Sequence, residues 1–223
     1  MYMAVLHATL DAVAQSIGTK FIYSRVGDGV KRHQAKQALD MLSAARVCHT
    51  IRYTPANGLP LASEAKDTFR KVVPNDVGLL HALLRMPIRK AFPGWDRLAS
   101  KLRGQLTEQL VGQLLWELGP VSGDGPELYY WQREGGRPGE IDYITQITGS
   151  IVPVELKSGA AGSMKSLHQF MFDKKLRFAL RFDGNPPSQF DLKTHTTQGD
   201  EVTYRLRSLP WYLAGLSPEL PAD

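Results

Sequence analysis

Apolar positions along the chain fall into two rhythms. Residues 4–17, AVLHATLDAVAQSI, place Val5, Leu6, Leu10, Val13 and Ile17 near helical spacing, and Gly18 ends the run. Residues 30–46 repeat the rhythm with Ala35, Ala38, Leu39, Leu42 and Ala45. The pattern then shortens: 47–54 reads as a strand, PANG at 55–58 as a turn, and 68–73 as a returning strand. Residues 74–84 read as a capped helix start, with Asn75 or Asp76 as the cap. A stretch with two prolines and a glycine follows at 85–96. A long helix comes next, with Leu106, Leu110, Val111, Leu114 and Leu115 as its stripe and Gly119-Pro120 as its stop. Beyond a turn-rich loop, three strands are expected at 127–133, 140–147 and 150–157, the last two joined by a hairpin at Gly149. A helix from Ser163, a strand at 176–183 and a last strand from Glu201 complete the order.

This order divides the chain into a helix-and-ribbon domain over 1–74 and an α/β domain over 75–223. Helix, short element, helix and two-stranded ribbon is the order of a winged helix-turn-helix. In such a domain the second helix of the motif enters the major groove with its N-terminal residues. Here those residues are Lys31, Arg32, His33 and Lys36, off the apolar stripe. The alternative is a solvated helix start in a domain that contacts protein, since cations oppose the dipole at a helix N-terminus.

The α/β part carries the candidate chemistry. Asp142 ends a Gly-Glu-Ile-Asp run, and Glu155 and Lys157 follow with one leucine between them. Residues two apart on a strand share a face, so Glu155 and Lys157 point the same way. Acids and a lysine so placed form either an inert ion pair or part of a metal-dependent centre. Glu108 lies at the edge of the long helix's stripe, and Gln169 on the helix after the strands.

Element order and acids together resemble the restriction-endonuclease-like fold, whose signature is Asp, a variable gap, then Asp/Glu-x-Lys. Five phrases are similar to the C-terminal region of a prokaryotic AAA-type ATPase family. They are NDVGLLHALL (75–84), LRGQLTEQLVGQLL (102–115), LYYWQREGGRPGEIDYI (128–144), IVPVELKSG (151–159) and LRSLPWYLAGL (206–216). That resemblance implies an N-terminal winged helix-turn-helix followed by a nuclease-like α/β sandwich with a mixed central sheet. It also implies an ATPase module ahead of both, as partner or neighbour. It makes Asp142 and Glu155 the ligands of Mg²⁺, with Lys157, Glu108 and Gln169 completing a catalytic set. Ile141 stands where the family usually has proline. If the acids do not work, the domain is a DNA- or protein-binding appendage.

Composition narrows the setting. The net charge of +5 suits a polyanionic partner such as DNA. A single cysteine, Cys48, excludes an internal disulfide or a cysteine zinc site and fits a reducing, cytoplasmic location. No apolar run approaches the ~20 residues of a membrane span. GTK at 18–20 and GSMKS at 162–166 both lack the phosphate-loop pattern, so no nucleotide site is recognised in these residues. The six histidines show no metal-ligand spacing.

Overall fold

The computed structural model describes residues 2–86, 98–117, 128–135, 139–159 and 163–219. Most of the proline-containing stretch at 85–96 and the Gly119-Pro120 stop lie outside them. The helices are α1 (Tyr2–Gln15), α2 (Arg32–Ala44), α3 (Val77–Leu83), α4 (Ser100–Glu117) and α5 (Lys165–Lys174). The strands are β1 (Cys48–Tyr53), β2 (Lys66–Pro74), β3 (Tyr129–Gln132), β4 (Glu140–Ile147), β5 (Ser150–Leu156), β6 (Phe178–Asp183), β7 (Ser188–His195) and β8 (Glu201–Pro210). Two compact units result, one of residues 1–51 and 68–113, the other of 52–67 and 114–223. The chain passes between them within β1, β2 and α4, so α4 as far as Gln113 groups with the first unit. A boundary at residue 74 would give it to the second.

In the first unit, α1 and α2 bury Val13, Ala35 and Leu39 against Phe21, Cys48 and Val72. Gly18 closes α1 with φ at 63°. That left-handed conformation favours glycine, and a Cβ there would also crowd the Gln105 and Glu108 side chains at 3.0 Å. Phe21 donates its N–H to the Arg70 carbonyl at 2.8 Å, and Lys20 bridges Lys71, which lays this segment along β2. Asp76 caps α3 by accepting from the Leu79 N–H at 2.8 Å.

α4 meets this unit with two kinds of face. Leu106 and Val111 are buried as the apolar pattern demands. Gln105, Gln109 and Gln113, spaced by four, stack along the helix. Gln105 donates to the Ile17 carbonyl (2.7 Å) and Gln109 to the Pro74 carbonyl (2.6 Å), while Gln113 accepts from the Val77 N–H (3.1 Å). Each satisfies a main-chain group at the end of another element, where the regular ladder leaves it unpaired.

The second unit is built on an open, mixed sheet. Its order is β1–β3–β4–β5–β6–β8–β7, with Arg52 and Tyr53 as β1's contribution. β3, β4 and β5 run antiparallel in turn. β5, β6 and β8 are mutually parallel, and β7 returns antiparallel along β8. The β4–β5 hairpin turns on Thr148 and Gly149, both at positive φ (46° and 76°), the two-residue geometry that matches strand twist. Pairing of β5 with β6 starts at Val154, so Pro153 sits outside that ladder. α5 packs against β4 and β8, with Phe170 fully buried and edge-on to Trp131 at 5.0 Å.

β7 has no counterpart among the strands expected from the sequence. Six of its eight residues are exposed and Leu192 and Thr194 only half-buried, so burial imposes no strong alternation. The last strand is shorter than its apolar tail suggested: β8 stops at Pro210, and 211–219 form a 3-10 helix. Among the described residues no helix is long and apolar enough to cross a membrane.

Candidate functional site

The β4–β5 register carries the site. Tyr143 pairs with Val154, Ile144 with Pro153 and Thr145 with Val152. Continued by one residue, that register sets Asp142 opposite Glu155. Opposed residues of antiparallel strands share a face, with Cβ atoms about 4.5–5.5 Å apart. Asp142 Oδ2 accepts the Leu156 N–H at 2.8 Å, which fixes one carboxylate oxygen beside the β5 backbone. Lys157 Nζ donates to Glu155 Oε1 at 2.5 Å, so lysine and glutamate do share a face. The indole of Trp211 donates to the Lys157 carbonyl at 2.7 Å and the Lys157 N–H bonds the Phe182 carbonyl at 2.9 Å. Backbone anchors therefore hold Lys157 on both sides of its Cα.

Glu155 is only 6% exposed. Burial, the largest influence, pushes its carboxyl up from the ordinary range; Lys157 and Arg181 pull it back and Glu140 pushes further. Its Oε2 is buried with no hydrogen-bond partner. An ionised carboxylate in such a place normally has every lone pair satisfied.

The parallel strands extend the polar row. Glu155 is in register with Arg181 on β6, and Arg181 with Ser208 on β8. Arg181 Nε lies 2.8 Å from Asp183 Oδ2, and Ser208 donates to the same oxygen at 2.9 Å. Tyr204, on the Ser208 face of β8, hydrogen-bonds His168 Nδ1 of α5 at 2.9 Å. Burial raises the Tyr204 phenol, the Glu155 charge raises it further, and Arg181 pulls it back. Burial also lowers His168, favouring the neutral imidazole.

Arg181, Asp183 and Tyr204 were not singled out from sequence, and His168 only as one of six histidines without metal-ligand spacing. One signal was there: LRFALRFD repeats, in Arg181 and Asp183, the charged period-two pair that drew attention to Glu155 and Lys157.

Gln169 is 3% exposed, and its amide is engaged at both ends. It donates to Asp173 at 2.8 Å and accepts from Thr197 at 3.5 Å. Glu108 belongs to the first unit, where its carboxylate takes the ammonium of Lys71 at 2.8 Å; the two side chains are 13% and 3% exposed. Lys31, Arg32, His33 and Lys36 are all exposed at the start of α2, whose first turn holds no acid. The Lys31 N–H is capped by Gln34 Oε1 at 3.0 Å, so polar capping rather than charge secures the helix there.

Among the described residues no group of three or more His, Cys, Asp or Glu side chains is gathered to hold a metal. The fit to a hard divalent cation rests on the two carboxylates Asp142 and Glu155 and on the orphaned Oε2. Mg²⁺ suits so sparse a set, because it keeps several waters and takes one or two protein carboxylates.

Residues 103–183 match the family model described as a domain of unknown function, DUF4143, a domain found in AAA-ATPase-associated proteins. Residues 3–90 match a second domain of unknown function, DUF8612. Neither match spans half of the chain. No curated protein matches it, and neither does any solved structure.

Two outcomes are expected. Glu108→Ala takes its carboxylate away from the buried Lys71 ammonium and should lower stability by about 3 kcal/mol, seen as a lower urea midpoint. Adding Lys71→Met should recover most of the loss; a single variant as stable as the parent contradicts a buried pair. The second outcome concerns Glu155. Its raised carboxyl means that the folded state holds the proton more tightly than the unfolded chain. The resulting stability is fully present below the ordinary glutamate pKa and is lost as pH rises through the raised value. Glu155→Gln should flatten the fall in stability as pH rises above the ordinary carboxyl range, measured by chemical denaturation at stepped pH.

Proposed function

We propose that this chain is a DNA-acting module that works with an AAA-type ATPase, reading duplex DNA through α2 and hydrolysing phosphodiesters at Asp142, Glu155 and Lys157. In this reading residues 1–74 are a winged helix-turn-helix and the β3–β8 sheet a restriction-endonuclease-like core. The carrying observation is the Asp142 carboxylate held at the Leu156 N–H, beside Glu155 on β5, with Lys157 at Glu155 and one Glu155 oxygen unpartnered. The DUF4143 match supports the association with an ATPase.

Asp142 and Glu155 would hold Mg²⁺ between them, with the Leu156 carbonyl as a neutral neighbour. The ion's chemistry there is to neutralise charge on the phosphate and acidify a water. Lys157 then has a role beside the phosphoryl oxygens, as a point charge that leaves Glu155 for the transition state. Arg181, in register with Glu155, offsets its charge and favours the ionised carboxylate that a cation requires. On α2, the exposed Lys31, Arg32 and Lys36 offer phosphate contacts, and His33 lies between them.

A second reading has its own support. Lys157 already neutralises Glu155, and Glu108 is engaged by Lys71. Both favour a noncatalytic nuclease-like appendage that binds DNA or protein for its ATPase.

Binding and cleavage separate the readings. Replacing Lys31, Arg32 and Lys36 with alanine should weaken duplex binding. It should also make the log–log salt slope shallower by up to about 3, since each phosphate contact accounts for roughly 0.9. An unchanged slope removes α2 from the DNA surface. For catalysis, the protein should cut DNA with Mg²⁺ or Mn²⁺ and stop with a chelator. Glu155→Gln should abolish cutting, and Lys157→Ala should lower kcat more than DNA affinity. If the parent protein binds no Mn²⁺ and cuts neither single-stranded, double-stranded nor branched DNA, the appendage reading stands instead.

A further inference from the structure

β7 is an edge strand. It pairs with β8 on one side, and among the described residues no strand pairs on the other. Six of its eight residues are exposed, and Phe190 is exposed at 42%. A long, regular edge with an apolar side chain on show is a template for another strand.

The order of side chains on β7 selects what pairs there. Register with β8 puts Gln189, Asp191, Lys193 and His195 on one face, opposite Arg207, Arg205, Thr203 and Glu201. Phe190 and Leu192 lie on the other face, beside Leu206 and Tyr204. Consider a second β7 laid antiparallel along the open edge, with Leu192 facing Leu192. Asp191 of each copy then faces Lys193 of the other, giving two opposite-charge pairs. Phe190 faces Thr194, Gln189 faces His195, and the apolar residues stay on one face.

Neighbouring alignments lose this match. Centring on Asp191 or on Lys193 sets like charges against each other. A slip by one residue sets the polar face against the apolar one. Centring on Phe190 pairs only Ser188 to Leu192 and leaves Lys193 without its acid.

We propose that β7 pairs with the β7 of a second copy of this chain, joining the two sheets across a twofold axis at Leu192. The contact is isologous and closes on itself. It completes the open main-chain edge and covers part of Phe190 and Leu192. Within one copy, Asp191 meets Arg205 Nε at 3.1 Å and Lys193 meets Glu201 at 3.1 Å. Both are exposed pairs of the weak, exchangeable kind, so they do not hold the charges back from a new partner.

Sedimentation velocity of the whole chain across a concentration series tests this. The parent protein should dimerise on raising concentration. Asp191→Lys and Lys193→Asp should each weaken the dimer about tenfold or more, because two attractive cross-strand pairs become repulsive. The double variant Asp191→Lys/Lys193→Asp should restore dimerisation, since the exchanged charges face each other again. Far-UV circular dichroism checks that the variants fold. Amide exchange on the parent protein offers a route free of substitutions: protection of residues 189–195 should rise with concentration. The proposal is overturned by a parent that stays monomeric, or by a dimer indifferent to the single exchanges. It is equally overturned by a double variant no better than the singles, or by amide protection that does not change with concentration.

Discussion

The β4–β5 register is the constraint on which the second unit depends. Thr148 and Gly149 close the hairpin at Ile147 and Ser150, and every later pairing follows from that closure. Tyr143, Ile144, Val152 and Val154 are buried because of it. A slip of one residue would exchange the two faces of β4 and set Asp142 against the wrong side of β5. The same closure lets the Leu156 N–H reach Asp142. Core and candidate site therefore share one determinant, a two-residue turn at the far end of the hairpin.

Buried charge is handled in three ways. In the first unit, Lys71 and Glu108 neutralise each other between β2 and α4. A hydrophobic pair of the same volume would be as stable there, but removal of one partner alone would not be. On β6, Asp183 receives Arg181, Ser208 and the Asn185 N–H, and is satisfied from several directions. Glu155 differs from both: one oxygen is held by Lys157 and the other by nothing. Hydrogen bonds satisfy the structural carboxylate at Asp183, whereas the candidate functional carboxylate at Glu155 keeps an oxygen free. This contrast within one sheet distinguishes Glu155 more sharply than its burial does.

How much of this was legible depends on where the information resides. The helices α1, α2 and α4 and the β4–β5 hairpin came from periodicity and glycine placement, which are local. Shared orientation of Glu155 and Lys157 followed from strand alternation alone. Glu108 was harder. Its place at the edge of the leucine stripe is visible in sequence, but its partner Lys71 is 37 residues away, and nothing local specifies that meeting. The glutamine ladder of α4 was likewise silent, because glutamine on a helix reads as solvated until the main-chain groups of other elements are placed against it. β7 escaped notice because an edge strand exposed on both faces has little burial to imprint a pattern.

The site's layout also bears on how binding and chemistry would be linked. Lys157 is held at its N–H by β6 and at its carbonyl by Trp211, so its main chain is fixed while its side chain spans to Glu155. If Asp142 and Glu155 held a cation, its charge would weaken the hold of Glu155 on the Lys157 ammonium. Release of Lys157 would cost the ion pair, the cation would satisfy the orphaned Oε2, and a positive charge would be left beside the site. Only a phosphate, itself anionic, makes two adjacent cations favourable there. Metal and nucleic acid would therefore stabilise each other's presence at this site, and each alone would bind less tightly than the two together. On the proposed reading, the ammonium at Glu155 would be the resting state of the site.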